Sequence, residues 1–219
     1  MLKQITTSLA VALITTSASA GATYGFTHLY EAGDGPSQLA DGAIGEAQFS
    51  VEVIEESAGF VRFKFTNSGP DDSSMVQLYW EDTTNVLSSL QNWSTSTPSG
   101  VDFSGGSASP GHLPGSSPKI DDFSIQPKSQ GGKSKNGVGP NEDVTVRFLY
   151  SNSYFDVLEA MDNGDLLVGV HAQSFAGGGS ESFVTTGTPE PPTGIPSPSA
   201  ALAGAALMGL LVNRRRRRN

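Results

Sequence analysis

Phe49-Ser50-Val51-Glu52-Val53 and Val61-Arg62-Phe63-Lys64-Phe65-Thr66 decide the fold class. In each stretch large apolar residues alternate with polar ones, so that Phe49, Val51 and Val53, and then Val61, Phe63 and Phe65, share one face of an extended chain. Ser57-Ala58-Gly59 between them supplies a turn, and the pair reads as an antiparallel hairpin with one face in water. A strong turn follows at Asn67-Ser68-Gly69-Pro70-Asp71-Asp72.

The same alternation recurs outward from this hairpin. Val76, Leu78 and Trp80 mark a strand face, as do Val144, Val146, Phe148 and Tyr150, and then Leu166, Val168, Val170 and Ala172. Helical periodicity is confined to Tyr154 to Met161, which Asn163-Gly164 stops. The Gly-, Ser- and Pro-rich stretch from Ser94 to Gly139 is expected to hold two short strands, near Val101–Phe103 and Ile120–Ile125. Many short strands punctuated by turns predict an all-β protein, an antiparallel β-sandwich or jelly-roll-like domain.

The ends of the chain have a different character. Lys3, an apolar run from Leu9 to Ile14 and Ala18-Ser19-Ala20 form the pattern of a secretory signal peptide over residues 1–20, cleaved by signal peptidase so that the mature chain starts at Gly21. Residues 21–187 are the β domain, and 188–198 are a Pro-rich linker. Residues 199–213 then hold an apolar span, Ala200 to Val212, and 214–219 are a basic tail with Arg214, Arg215, Arg216, Arg217 and Arg218. Thirteen helical residues reach about 20 Å against a hydrocarbon core of about 30 Å. The expectation is therefore a short transmembrane helix whose arginines snorkel and stay cytoplasmic.

The chain has no cysteine, so its core alone must hold it together. Of its 22 acidic residues 21 lie in the β domain, against 7 of its 13 basic ones, which leaves that domain near −14. Such a charge repels nucleic acid and anionic lipid and excludes a nucleic-acid partner.

Ile195-Pro196-Ser197-Pro198, the apolar span and the arginine cluster together resemble the PEP-CTERM sorting signal of bacterial exosortase substrates, with Ser197 where that family most often has Glu. Pro189-Glu190-Pro191 lies farther upstream, in the linker. Ala43-Ile44-Gly45-Glu46-Ala47-Gln48, Phe65 to Pro70, Ser109 to Gly115 and Gly169 to Phe175 with Gly179 to Phe183 also resemble segments of secreted proteins carrying such tails. The resemblance implies export and a transient stay in the inner membrane. It further implies processing by an exosortase-type enzyme, then delivery to the cell surface or extracellular matrix in association with exopolysaccharide. It implies no activity, and the expectation is a protein that is not an enzyme.

Candidate chemistry in the β domain is sparse. Gly131-Gly132-Lys133-Ser134 has the end of a P-loop, but Pro127 stands where the first glycine is required, so a solvated basic loop is expected. His171, Ser180 and Glu181 supply the residue types of a hydrolytic triad without a nucleophile elbow. His171 and Gln173 share the strand face opposite Val170 and Ala172, facing solvent or a groove. His28, His112 and His171 have no ligand spacing for zinc. The acidic pairs Asp71-Asp72, Glu81-Asp82 and Asp121-Asp122 are turn residues or, brought together by loops, ligands for calcium. No other cofactor is expected. Trp80 is in phase with the core, whereas Tyr79 on the opposite face and Trp93 beside a loop are the aromatics expected to be exposed and able to stack on a sugar. Tyr79, Trp93, His171 and Gln173 are therefore the ligand-binding residues of the alternative function, a carbohydrate-binding module for exopolysaccharide.

Overall fold

A computed structural model describes residues 21–31, 34–56, 59–95, 100–129 and 132–187. In chain order the elements are β1 (Ala22–His28), α1 (Pro36–Gln48), β2 (Phe49–Glu56), β3 (Phe60–Asn67), β4 (Ser74–Asp82) and β5 (Leu87–Thr95). β6 (Phe123–Ile125), α2 (Lys133–Asn136), β7 (Glu142–Tyr150), α3 (Tyr154–Asn163), β8 (Leu166–Gln173) and β9 (Ser180–Thr185) follow. The strands form one antiparallel sheet in the order β5-β7-β3-β2-β1-β9-β8-β4-β6. The two edge strands, β5 and β6, come to the walls of one groove, so the sheet is nearly closed. β1 is the strand that turns it: Ala22 to Gly25 pair with β2, and Phe26 to His28 pair with β9.

The hairpin read from sequence is β2–β3, with Val51 opposite Phe65 and Val53 opposite Phe63. Its inward residues are buried, and its outward Arg62 and Lys64 meet Glu56 and Asp143. Across the interior Trp80 is packed edge-on by Phe63, Phe65 and Phe148, at centroid distances of 6.0, 5.6 and 5.0 Å. β4 has a bulge between Met75 and Gln77, so Met75, Leu78 and Trp80 face this core and Val76 does not share their cluster.

α3 forms where the sequence places it. Ser153 Oγ accepts the Asp156 N–H, Asp156 accepts the Ser153 N–H, and Gly164 ends the helix at φ 79°. Helix α1 is an addition to the sequence reading. The expected strand at Val101–Phe103 does not form: those residues are irregular, though Val101 and Phe103 enter the core, and the later one shortens to Phe123–Ile125. Among the described residues no helix is long and apolar enough to cross a membrane. The expected transmembrane helix at 199–213 lies outside the described residues, as do residues 1–20 and the linker at 188–198.

Candidate functional site: the groove between the edge strands

β4 is buried along both faces. Its outward side chains are covered by the irregular chain from Ser104 to Asp122. Gln77 Nε2 donates to Ser109 O (2.6 Å), Tyr79 Oη donates to Pro110 O (3.0 Å), and Tyr79 packs with Ala108, Leu113 and Ile120 in a second small core. Tyr79 is thus fully buried, and burial raises its phenol well above the usual range. This corrects the expectation of an exposed stacking residue. The alternation rightly put Tyr79 opposite Trp80, but the face it was assigned to is not in water. Trp93 lies in β5 opposite Val146, and its side chain lies outside the described residues.

The same covering chain leaves a groove of about 510 Å³ where β5 and β6 face each other. Leu90 lies on one wall, and Phe123 and Ser124 on the other, with Gly106 to Ala108 and Asp121 and Asp122 around the rim. Phe123 is half-buried and locked edge-on against Phe148 at 5.2 Å. Glu81, at the end of β4, joins Asp121 and Asp122, and one ligand atom from each lies within 4.8 Å of the others. Hydrogen bonds fix the cluster: Asp121 N–H donates to Glu81 Oε2 (3.1 Å), and Asp82 N–H donates to Asp122 Oδ2 (2.8 Å). Two of the three acidic pairs therefore converge. Asp82 itself turns inward and accepts the N–H groups of Val86 and Leu87, which holds the β4–β5 turn. Asp71 and Asp72 are exposed elsewhere, beside the end of α1. Three carboxylates, one from β4 and two from the chain just ahead of β6, offer hard oxygen ligands of the kind calcium takes.

The hydrolytic triad is not assembled. His171 is half-buried, and its Nδ1 lies 3.2 Å from Ser182 Oγ rather than from Ser180. Glu181 projects to the opposite face, where its Oε2 lies 2.8 Å from Nε2 of a different histidine, His28. Burial, aided by the charge of Lys133, lowers His171 to about 4, so the imidazole is neutral at neutral pH. Gln173, also half-buried, pairs with Ser74 and Ser180 across the sheet. His28 is buried in β1 and His112 lies in the covering chain, so the histidines are dispersed. Lys133 and Ser134 belong to the four-residue α2, with Lys133 Nζ donating to Gln126 Oε1 (2.7 Å). The His28–Glu181 pair had no signal in the sequence, since its members lie 153 residues apart.

Of the sorting residues, Gly21 is half-buried just ahead of β1. Ala18, Ala20, Ile195 to Pro198 and Arg214 to Arg218 lie outside the described residues. The chain matches no family model, no curated protein and no solved structure.

Proposed function

We propose that this chain is an exported bacterial surface or extracellular-matrix protein without a reaction of its own, delivered by its two ends. Signal peptidase frees Gly21. The apolar span at 199–213 and the arginines behind it hold the protein in the inner membrane until an exosortase-type enzyme acts at Ile195-Pro196-Ser197-Pro198. The observation that carries this reading is the tripartite tail itself, Pro-x-Pro, apolar span and five arginines, paired with an N-terminal signal. Among the described residues the strands run from β1 at Ala22 to β9 at Thr185, within the span expected for the mature domain. In its finer form the fold is a β-sandwich, β1 passing from one half of the sheet to the other. That Ser180 and Glu181 do not reach His171, Glu181 turning instead to His28, supports a non-catalytic domain.

Intact mass of the mature protein from its native host, with the cell fraction recorded, is the test. A species starting at Gly21 and ending between Ile195 and Pro198, recovered outside the membrane, is expected. A membrane-bound species retaining Ala200 to Asn219 would overturn the sorting reading.

A second reading, a carbohydrate-binding module stabilised by calcium, is favoured by the groove between β5 and β6. Half-buried Phe123 and the Glu81, Asp121 and Asp122 carboxylates replace Tyr79 as the contact residues. Retention of the mature chain on matrix polysaccharide in calcium, lost in Asp121→Asn, would support it. Equal elution with and without polysaccharide would remove it.

A further inference from the structure

The inward face of α1 is unlike that of a helix held by an apolar stripe. Its buried residues are Asp41, Gly42, Gly45 and Gln48, and only half-buried Ile44 adds an aliphatic contact to the core. The backbone sits flush on what lies beneath it. A methyl group at Gly42 would collide with the His28 imidazole at Nδ1, and one at Gly45 with the Phe183 ring. Two interior glycines also weaken the helix itself.

Beneath α1 lies a buried polar cluster. His28 is 2% exposed and its Nε2 meets Glu181 Oε2 at 2.8 Å. Asp41 is 3% exposed, and its carboxylate lies against the glycine loop that leads into β9. The space a Cβ of Gly179 would take is 2.5 Å from Asp41 Oδ2 and 3.4 Å from Glu181 Oε1, which brings the two carboxylates close. Buried polar atoms in a folded protein are nearly always hydrogen-bonded. Among the described residues the exceptions are His28 Nδ1, Asp41 Oδ2, Gln48 Nε2 and Trp80 Nε1, apart from the Glu56–Arg62–Arg147 ion cluster, whose members face one another at 2.6 and 3.8 Å. Three of the four belong to α1 or to the side chain it covers.

The charges are as one-sided as the hydrogen bonds. The titratable groups facing the cluster are His28 from β1 and Tyr30 just beyond it, Asp34 from the following turn, Asp41 and Glu46 from α1, and Glu181 from β9. No lysine or arginine forms an ion pair with any of them among the described residues. One imidazole therefore faces carboxylates from three segments. Docking α1 strips water from Glu181 and brings other carboxylates toward it, and both effects favour its protonated form. Burial is the largest cause raising Glu181 above the ordinary range. The His28 bond and charge oppose it, and the Asp34 and Asp41 charges add to it.

We propose that α1 is a proton-dependent latch: it opens from the sheet as a unit, without unfolding the rest of the domain, and docks more tightly as pH falls, through the His28–Glu181–Asp41 cluster it covers. The sign follows from linkage. A carboxyl raised in the docked state binds its proton more readily there, so docking is favoured below its free value and lost as pH rises through the docked one. Opening uncovers the Phe49–Phe183 pair, 5.2 Å apart, with Phe175 beside it.

Amide hydrogen exchange of the full mature chain between about pH 5 and about pH 8, corrected for intrinsic rates, tests this, since one linked proton changes protection by up to about tenfold per pH unit. The Leu39 to Gln48 amides should exchange faster than those of β3 at every pH, and their protection should fall as pH rises. Asp41→Asn should raise α1 protection near neutrality and flatten its slope. If that variant does not fold, the native series decides alone. Exchange of α1 at the β3 rate, protection that grows with pH, or an unchanged slope in folded Asp41→Asn would each overturn the latch.

Discussion

Helices α3 and α1 lie toward opposite ends of β1 and are held by opposite chemistry. α3 buries Tyr154, Val157, Ala160 and Met161, closes its first turn with a reciprocal Ser153–Asp156 box, and ends on a left-handed Gly164. Its polar ties are complete, with Tyr154 Oη donating to Val53 O (2.8 Å) and Tyr24 Oη to Asp162 Oδ1 (3.0 Å). α1 begins at Gly35 without a side-chain cap on its first N–H groups, buries an acid, two glycines and an amide, and leaves buried polar atoms unpaired. The difference teaches that a helix is permanent or poised according to what its inner face gives up when it leaves. α3 would expose apolar area and break satisfied bonds, whereas α1 would let water reach atoms that lack partners.

The largest expected effect lies at the α3 end. Met161→Ala removes a fully buried side chain and should cost about 3 kcal/mol, within the range for large-to-small core changes. A lower midpoint of chemical unfolding, with strands and helices lost together, is the expected outcome. A loss confined to α3 amides would show α3 to be as separable as α1, and the contrast would fail.

Next in size is a pH effect that belongs to neither helix. His171 is neutral in the fold and lowered to about 4, mainly by burial. The unfolded chain takes up its proton near the ordinary histidine value, so stability is full above that value and is lost as pH falls toward about 4. The shift corresponds to at most about 3 kcal/mol. Global stability should therefore drop on acidification while docking of α1 tightens. Chemical unfolding near pH 7 and near pH 5 reads the first, and His171→Gln should weaken that dependence. Parallel trends for the global fold and α1 would mean that the helix has no titration of its own.

Gly45→Ala probes the α1 end directly. The added methyl meets the Phe183 ring, and overpacking of this kind costs about 2 kcal/mol. The loss should appear as faster exchange across Leu39 to Gln48, with the unfolding midpoint little changed. A fall in midpoint comparable to that of Met161→Ala would join α1 to the global core.

The two helices also differ in how far they can be read from sequence. α3 was legible because Tyr154, Val157 and Met161 repeat at helical spacing and a glycine stops them. α1 was not, because its inner face of Asp41, Gly42, Gly45 and Gln48 carries no apolar period. The strands divide the same way. β2, β3, β7 and β8 alternate cleanly, whereas β5 is broken by two bulges and β1 carries a polar His28 where a core residue is expected. Tyr79 was placed on the correct side of β4, but irregular chain has no periodicity to announce that it will cover that side. The groove carboxylates stand out in the sequence as pairs. Their convergence was invisible, since Glu81 and Asp121 are 40 residues apart.

The smallest effect tests the caps. Ser153 Oγ accepts the Asp156 N–H at 3.2 Å and Asp156 Oδ2 accepts the Ser153 N–H at 3.1 Å, which pairs two of the amide groups that a helix start otherwise leaves open. Ser153→Ala leaves the Asp156 amide to water and should cost about 1 kcal/mol. Gly35 presents no side chain to lose, and Gln38 Oε1 returns only the reverse bond, to the Gly35 N–H at 3.1 Å. Gly35→Ser should therefore strengthen α1 by a few tenths of a kcal/mol, the margin between a glycine and a serine at this position. Amide exchange of the full chain resolves both. Ser153→Ala should lower protection throughout the domain, because α3 leaves only with the core, and Gly35→Ser should raise it in α1 alone. A Ser153→Ala loss limited to the first turn of α3 would mean that this helix also frays on its own, and that apolar burial rather than capping separates the two ends.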